Sequence, residues 1–347
     1  MPAAVTLRPR PATKLSIGRL RIRAGGGAIM AVTTSRRWWR KKRYALPLAL
    51  LSVPLVLSIL FAVNGLFLAA NETPVGNLSP ADLEVARAGV RQPVLKVVAY
   101  NIAKGFAYQE GISFADEGEV RARMDQIAEF LRAEQPDVVF LSEALFACGP
   151  CPVNQVERLA EEAGLPHWVF GENFNFGLPF YRIVGGNAIL SRFPIEPVAN
   201  PSLPGRRPFY ITKNNRRVLW CRAHINGRPL LLAAIHNDSF DLENNDAQMK
   251  EILAYVGDRD ALMAGDFNAR ADEPPIRRLL ATGKFSGASD GPFTFSTARP
   301  HETIDFIFAP ASWRLLEHRV ADLDLSDHLP VISEFRLPVD PVETPAD

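Results

Sequence analysis

The chain has 347 residues, of which 47% are hydrophobic and 22% are charged. This balance is typical of a globular protein and excludes a disordered, collagen-like or coiled-coil chain. Three cysteines in this length are too few for a disulfide-stabilised scaffold.

The charge is divided unevenly along the chain. Residues 1–70 contain 12 of the 39 lysines and arginines and none of the 38 acidic residues, so residues 71–347 carry a formal net charge of −11. An acidic domain lacks the positive surface with which high-affinity nucleic-acid binders neutralise phosphates. The charge therefore argues against tight binding of DNA or RNA.

An uncharged apolar segment follows a basic cluster near the N-terminus. Residues 45–70 carry no charge, and six lysines and arginines precede them between Arg36 and Arg43. At about 1.5 Å per residue, a helix of this length crosses a bilayer core of about 30 Å. Positive charge before a span keeps that side in the cytoplasm. We therefore expect a single-pass signal anchor at residues 45–70, with the basic segment 1–44 cytoplasmic and the following domain extracytoplasmic.

A cleaved secretion signal is the alternative, because Leu68, Ala69 and Ala70 offer small residues for cleavage. The apolar run is longer than the usual apolar core of a signal peptide, of about 7–15 residues, which favours a retained anchor. Met30 is a second candidate start of the chain. Residues 71–93 are interpreted as a polar stem, 94–337 as one domain and 338–347 as a loose tail.

Apolar runs with strand character recur along the domain, and three amphipathic helical patterns lie between them, near residues 120–131, 156–160 and 247–256. Several runs are apolar on both faces, so both faces of the sheets should be covered. The pattern predicts an α/β fold, a four-layer sandwich of two packed mixed β-sheets flanked by helices, preceded by one transmembrane helix. The predicted strands are Val94–Asn101, Asp137–Glu143, Trp168–Gly171, Asn187–Ser191, Val218–Ile225, Pro229–His236, Ala261–Asp266, Thr303–Ala309 and Val331–Phe335.

Polar residues of the types used in hydrolysis stand at the ends of these strands. One such residue is most often a turn or capping residue. Because the ends of adjacent strands meet at one edge of a sheet, a repeated pattern predicts a common site. The residues are Asn101, Glu143, His236, Asp266, Asn268, Asp305, Asp327 and His328.

Six segments resemble, in the same order, motifs of the endonuclease/exonuclease/phosphatase superfamily. This superfamily includes deoxyribonuclease I, abasic-site endonucleases, neutral sphingomyelinases and inositol polyphosphate 5-phosphatases. The resemblance covers about residues 94–337, and its most specific part is Gly265–Asn268 together with Ser326–His328. The six segments are 98–102, 137–143, 186–192, 265–268, 303–307 and 326–331.

The resemblance implies a site for a divalent metal. Glu143 is expected to be the main carboxylate ligand, and Asn101 should lie beside it. Asp327 should lie by the metal or by the catalytic histidine. Hard oxygen ligands with few carboxylates suit Mg²⁺, with Mn²⁺ as a substitute.

The resemblance also implies catalytic roles. His328 should bond the attacking water or the scissile phosphate, and Asp305 should fix its tautomer. Asp266 should orient or deprotonate the water. Asn268 should hold a phosphate oxygen, and His236 should donate to the phosphate as charge develops.

Three functions are compatible with these residues. The first is hydrolysis of a phosphate ester on a lipid head group or a small molecule, favoured by the anchor and the acidic domain. The second is an extracytoplasmic endonuclease or exonuclease, and the third is a non-catalytic binding module, which should lack some motif residues. The membrane would be contacted through residues 45–70, and no protein partner is predicted.

Three further features have structural and functional interpretations. Cys148 and Cys151, outside the cytoplasm, predict a small disulfide in the loop after Glu143. The aromatic segment 170–181 is either a substrate-facing loop or part of the core. The basic residues between Arg206 and Arg217 form either an anion-binding patch or a solvated hairpin.

Overall fold

The computed structural model describes residues 52–69, 72–109, 113–205 and 216–338. The predicted cytoplasmic segment 1–44 and nearly all of the predicted tail 338–347 lie outside these residues. The helices are α1 (described over residues 52–63 and continued by a π-helical turn at Asn64–Leu68), α2 (Pro80–Ala88), α3 (Glu117–Glu134), α4 (Gln155–Ala163), α5 (Leu242–Val256) and α6 (Pro274–Ala281).

Fifteen strands are present in the described residues, together with a short 3-10 helix at Ala103–Phe106. The strands are β1 (Val75–Gly76), β2 (Val94–Asn101), β3 (Tyr108–Gln109), β4 (Ser113–Phe114), β5 (Val138–Cys148), β6 (His167–Leu178), β7 (Tyr181–Ser191), β8 (Glu196–Ala199), β9 (Leu219–Ile225), β10 (Arg228–His236), β11 (Ala261–Asp266), β12 (Phe285–Ser286), β13 (Asp305–Pro310), β14 (Arg314–Val320) and β15 (Val331–Arg336).

Thirteen of the strands form two mixed sheets, and β3 and β4 form a separate two-stranded sheet. The first mixed sheet has the order β1-β6-β7-β5-β2-β15-β14, and the second has the order β12-β13-β11-β10-β9-β8. Each mixed sheet contains one parallel pair, β2 with β5 and β10 with β11. Within each mixed sheet, the two parallel strands end at the same edge.

The two sheets pack face to face, and helices cover their outer faces. Along β2, Val97 and Ala99 pack in the apolar layer between the sheets, whereas Val98 and Tyr100 pack in the layer under α3 and α4. This alternation follows from the two-residue period of a strand. A third apolar layer joins the second sheet to α5 and α6. The predicted four-layer α/β sandwich is confirmed.

The aromatic segment 170–181, predicted to be a substrate-facing loop or part of the core, belongs to a long β-hairpin. Strands β6 and β7 pair in antiparallel register from His167 with Ser191 to Leu178 with Tyr181. Phe174 and Phe176 alternate with asparagines, which is a strand period that the interpretation as a loop overlooked.

The predicted stem, residues 71–93, contains β1 and α2. Strand β1 pairs with β6, and α2 packs beside β9, where the backbone carbonyl of Ala86 accepts from His224 at 3.1 Å. Ser79 and Asp82 form a reciprocal capping box at the start of α2. Since Ser-Pro-x-Asp is a helix-start signal, the sequence could have revealed this helix.

Within the described residues, no helix is both long enough and apolar enough to cross a membrane. The predicted span 45–70 begins outside those residues, and its described part is α1 with the π-helical turn.

One ion pair joins α5 to α6. The carboxylate of Asp246 accepts from Nε and Nη2 of Arg278 at 2.7 and 2.9 Å, and Lys250 lies 3.0 Å away. Hydrogen bonding from Arg278 lowers the pKa of Asp246 from 3.8 to about 2. A depressed pKa in the folded state stabilises the protein above the unfolded pKa, and this contribution disappears as the pH falls through about 2.

We therefore expect Asp246→Asn to lower the free energy of unfolding by about 1 kcal/mol at pH 7, because Arg278 is partly exposed and the pair is screened. The difference from the wild type should shrink between pH 3.8 and about 2. Urea unfolding across this range measures it, with the exposed Asp258→Asn as the control. If the wild type and Asp246→Asn differed in free energy of unfolding by the same amount at both ends of this range, the ion pair would not be the cause of the lowered pKa.

Candidate active site

The strand ends bring the predicted polar residues to one edge of the sandwich. His236 and Asp266, the last residues of β10 and β11, are register partners. Asp266 is also the register partner of Asp305, the first residue of β13. Asn101 ends β2 in the facing sheet, and its amide nitrogen donates to Asp266 Oδ2 at 3.0 Å. The site therefore lies between the two sheets.

His328 and Asp305 form a buried pair at the centre of this site. Nδ1 of His328 lies 2.9 Å from Asp305 Oδ2, and its Nε2 lies 3.8 Å from Asp266 Oδ2. The backbone N–H of Asp305 donates to Thr294 Oγ1 at 3.2 Å, and the ring of Phe295 lies against the imidazole with centroids 4.9 Å apart. These contacts fix the orientation of the imidazole.

The charges of this group depend on one another. Burial opposes the charged form of His328, but the carboxylates of Asp305 and Asp266 outweigh it and raise the pKa of His328 to about 10. Burial and the charge of Asp305 raise the pKa of Asp266 to about 7, although His328 acts in the opposite direction. The site thus pairs a protonated imidazole with a carboxyl group that titrates near neutrality.

Glu143 lies in an irregular part of β5, between the pairs Leu141–Ala188 and Ala144–Gly186. Its φ is +57°, which is uncommon for a residue with a side chain. The carboxylate contacts Lys104 Nζ, and Lys104 itself has φ of +60°. Burial opposes ionisation of Glu143, but Lys104 and Arg216 outweigh it and lower the pKa. Strained backbone of this kind often occurs at functional sites.

His236 lies close to two carboxylates and a guanidinium group. Its Nε2 is 3.5 Å from Asp266 Oδ2 and 3.7 Å from Glu143 Oε1. Arg216 Nη1 lies 2.6 Å from Nε2 and 2.9 Å from Nδ1 of the same ring. Burial, together with the charges of Arg216 and Lys104, holds the pKa of His236 well below its usual value. His236 is therefore a neutral imidazole, in contrast to His328.

Asn268 and Asp327 lie at the margin of the site. The backbone N–H of Asn268 donates to Asp266 Oδ1 at 2.9 Å, and its side chain donates to the carbonyl of Asn237 at 3.1 Å. The φ of Asn268 is +47°. Asp327 is exposed and accepts from Ser326 Oγ at 3.3 Å. The structure brings the eight predicted residues to one region, and their individual roles stay predictions.

The donor groups fit a divalent cation. One ligand atom each from Asp266, Asp305 and His328 lies within 4.8 Å of the others. Asp305 Oδ1 is buried without a hydrogen-bond partner in the described residues. A cation beside these groups would satisfy such an oxygen and offset the burial of carboxylates. Carboxylate and amide oxygens are the ligands of Mg²⁺, Mn²⁺ and Ca²⁺, so the identity of the metal is not fixed by the donors.

The predicted disulfide is absent. Cys148 and Cys151 are both buried free thiols, and both pack in the apolar layer under α3 and α4. Burial raises the pKa of each thiol, and the backbone amide of Cys151 only partly offsets this for Cys148. The two side chains therefore behave as small apolar residues.

Sequence reasoning missed Lys104 and did not assign Arg216 to the site, placing it only in a basic cluster. Each lies next to a segment that looks like solvated loop, and no local signal indicates that its charge points inward. Arg217 points elsewhere, since its Nη1 donates to the carbonyl of Asn200 at 2.7 Å. The two described residues of the basic cluster thus point to different places, and the rest of the cluster, residues 206–215, lies outside the described residues.

Asn187 makes hydrogen bonds to backbone close to two site residues, Arg216 and His236. It is fully buried on β7, and its Nδ2 donates to the carbonyls of Arg217 and Ala234, both at 3.2 Å. Ala234 lies in β10 of the second sheet, two residues before His236, and Arg217 lies just before β9, next to Arg216. The side chain therefore joins the two sheets beside the site.

We expect Asn187→Ala to lower the free energy of unfolding by about 2 kcal/mol, because two buried carbonyls lose their donor. Urea unfolding measures the effect. Asn77→Ala, at an exposed position between β1 and α2, removes hydrogen bonds with the carbonyl of Pro166 and the backbone N–H of Trp168 that water can replace, and should cost less. A cost for Asn187→Ala no greater than this control would contradict the interpretation.

Comparison with known proteins agrees with this geometry. The model of the Endonuclease/Exonuclease/phosphatase family matches residues 98–328. No curated protein matches the chain by sequence. One similar structure is an endonuclease/exonuclease/phosphatase from Beutenbergia cavernae, with 23% identity and a TM-score of 0.57 over 71% of this chain and 72% of that chain.

Two further structures share the fold. A mannosyl-6-phosphatase from Bacteroides thetaiotaomicron has 15% identity and a TM-score of 0.51, covering 70% of this chain and 99% of its own. A humanized D. rerio TDP2 has 16% identity and a TM-score of 0.50, covering 71% of this chain and all of its own. At these identities the likeness establishes the fold alone. The family match over most of the domain, together with the site, identifies the chain as a member of the endonuclease/exonuclease/phosphatase family, whose members hydrolyse phosphate esters with the help of metal ions.

Proposed function

We propose that this protein is a membrane-anchored, extracytoplasmic, Mg²⁺-dependent phosphoesterase that acts on a lipid head group or a small phosphate ester. The observation that supports hydrolysis is the buried pair of His328 and Asp305 beside Asp266, with 2.9 Å between Nδ1 and Oδ2. This arrangement supplies an acid and a base that face each other across a polar site. The acidic domain and the apolar N-terminal segment support a lipid over a nucleic acid.

The side chains have complementary tasks in this proposal. Asp266, whose pKa is about 7, takes a proton from the attacking water as its oxygen bonds to phosphorus. His328, held protonated by Asp305, donates to the phosphate or to the departing oxygen as its bond to phosphorus breaks. Neutral His236 and the guanidinium of Arg216 donate to non-bridging oxygens as negative charge increases.

Glu143 and Asn101 are the residues that we propose hold the metal. Nδ1 of His328 already lies 2.9 Å from Asp305 Oδ2, so two members of the alternative set of Asp266, Asp305 and His328 are engaged with each other and that set fits less well. Bound there, Mg²⁺ would polarise a phosphoryl oxygen and stabilise the leaving oxygen. Lys104 contacts Glu143, so we expect its ammonium to move aside when a cation binds.

A hydrolysis panel tests this proposal. The full chain in detergent is offered bis-p-nitrophenyl phosphate, sphingomyelin, phosphoinositides, supercoiled DNA and RNA, with Mg²⁺ or with EDTA. We expect turnover of a lipid or small ester that EDTA abolishes and that both His328→Ala and Glu143→Ala lose. Metal-dependent cleavage of DNA or RNA alone would make the protein a nuclease, and no turnover of any substrate would favour a binding module.

Membrane attachment needs its own test. We expect the full chain to stay with the membrane fraction after alkaline carbonate extraction. Protease added to intact cells or spheroplasts should remove the domain. Release into the medium as a shorter chain would instead support the cleaved signal, and protection from protease would contradict the extracytoplasmic location.

A further inference from the structure

Helix α1 exposes apolar side chains on all sides of its first two turns. Val53, Leu55, Val56 and Ile59 are each more than half exposed, and Ser58 is the one polar residue between positions 53 and 59. A helix that is apolar all round is ordinarily surrounded by protein core or by lipid. The exposed half of α1 therefore needs an apolar environment that the described domain does not supply.

A second exposed apolar group lies at the tip of the β6–β7 hairpin. Phe180 is 73% exposed and Tyr181 is 52% exposed. Two adjacent exposed aromatic residues at a hairpin tip form a patch that commonly marks a binding surface. Tyrosine in particular suits a boundary between apolar and aqueous surroundings.

The two exposed groups lie at the same end of the molecule. Along β6 from its start towards the hairpin tip, Phe170 pairs with Val75, Asn175 accepts from Asn64 at 3.1 Å, and Phe176 packs on Phe61 with ring centroids 5.2 Å apart. The chain therefore approaches the tip as it is followed back towards the N-terminus.

Distances along the two elements agree with this arrangement. Residues 53–59 extend the helix roughly 10 Å beyond Phe61, at about 1.5 Å per residue. Phe180 lies four residues beyond Phe176, which is about 13 Å in a strand. The exposed half of α1 and the hairpin tip are therefore at similar heights.

The same end of the first sheet carries the active site. Ala144, next to Glu143, pairs with Gly186, and Tyr181 lies five residues nearer the tip on β7. At about 3.4 Å per residue, the tip stands roughly 17 Å beyond the level of Glu143. The hairpin thus projects beyond the same edge of the sheet at which Asn101 and Glu143 lie.

We propose that α1 and the hairpin tip at Phe180 and Tyr181 form one bilayer-facing surface, which turns the active-site edge towards the lipid. This rests on the proposed function and deepens it, because it makes the substrate a phosphate ester carried by a lipid of the same membrane. The bilayer is the occupant that the chain itself indicates. The apolar run continues back from α1 to residue 45, and a basic cluster with Trp38 and Trp39 precedes it, as at a membrane boundary.

Site-directed spin labelling tests the surface without using activity. The three native cysteines are buried, so a nitroxide can be placed selectively by Phe180→Cys in the full chain, reconstituted into vesicles of equimolar phosphatidylcholine and phosphatidylglycerol. The control is Leu316→Cys, an exposed apolar position on β14, the opposite edge strand of the same sheet.

We expect the label at position 180 to be accessible to oxygen and protected from an aqueous nickel complex, and the label at position 316 to show the reverse. Accessibility of position 180 to the nickel complex would overturn the proposal. Spin–spin broadening at position 180 would overturn it in favour of contact with a second copy of the chain.

Kinetics of the F180S/Y181S double variant supply the second readout. We expect roughly tenfold slower turnover of the lipid substrate in vesicles and an unchanged rate on bis-p-nitrophenyl phosphate, with Leu316→Ser as the control. Equal rates on the lipid would overturn the proposal. Hydrolysis of the soluble ester by the wild type reports the proposed function separately, so the two failures are distinguishable.

Discussion

Replacing His328 by alanine is expected to lower kcat by about 10³-fold on a soluble phosphodiester, with little change in KM. General acid–base groups contribute factors of about 10² to 10⁴. His328 has its charge fixed by two carboxylates in a buried site, and its Nε2 is directed to Asp266, 3.8 Å away. Initial rates with bis-p-nitrophenyl phosphate at saturating Mg²⁺ measure the loss.

His167→Ala is the matched control, because His167 begins β6 at the edge of the sheet opposite the hairpin tip. Its rate should equal that of the wild type. Circular dichroism establishes that both variants are folded. A loss smaller than tenfold for His328→Ala would remove this residue from the proposed chemistry.

Asp305→Asn separates the two members of the pair. The amide keeps the shape but loses the charge that holds His328 protonated, so we expect a loss of about 10²-fold. Because the two residues act as one unit, the double variant with His328→Ala should be no slower than His328→Ala alone. Additive losses would show that Asp305 acts independently of His328.

The sequence was informative about this site where a predicted site residue directly ends an apolar strand. Asn101, His236 and Asp266 each close a run of buried residues, so strand prediction also located the side chain. Their convergence followed from the tendency of strand ends to meet at one edge. The four-layer arrangement could also be predicted, because strands such as β2 are apolar on both faces and must be covered on both.

The residues that sequence reasoning missed depend on tertiary geometry. Lys104 reaches Glu143 through a backbone turn with positive φ at non-glycine residues, which propensities do not anticipate. Arg216 and Arg217 are neighbours in the sequence but point to different places, one to His236 and the other to Asn200. Nothing in a run of basic residues distinguishes an inward charge from a solvated one.

The disulfide was predicted from the spacing of Cys148 and Cys151 and from the predicted extracytoplasmic location. How the two side chains pack was not taken into account. Cys148 ends β5, and both thiols fill an apolar layer in which burial favours their neutral forms. The β6–β7 hairpin was missed because its glycines and asparagines were given more weight than its alternation. That same hairpin carries the exposed tip on which the proposed membrane surface depends.

The second large effect is expected in metal binding. Glu143→Gln should weaken Mg²⁺ binding by at least about 100-fold, because the neutral amide removes the main charged ligand. Changes to residues that only support a metal ligand cost about 10–100-fold.

Lys104→Gln should instead strengthen Mg²⁺ binding. Its ammonium contacts the same carboxylate and must be displaced by the cation. Removing that competition should strengthen Mg²⁺ binding by about tenfold, which corresponds to about 1.4 kcal/mol.

Isothermal titration calorimetry of the full chain in detergent measures both constants. Lys284→Gln is the matched control, because Lys284 pairs with Asp258 at 2.8 Å on an exposed surface and should leave the affinity unchanged.

Weaker Mg²⁺ binding in Glu143→Gln together with stronger binding in Lys104→Gln would mean that Lys104 and the metal compete for one carboxylate. Weaker binding in both variants would instead mean that Lys104 holds Glu143 in place for the metal. Unchanged affinity in Glu143→Gln would move the metal to the cluster of Asp266, Asp305 and His328, and His328 would then have to bind it as a neutral imidazole.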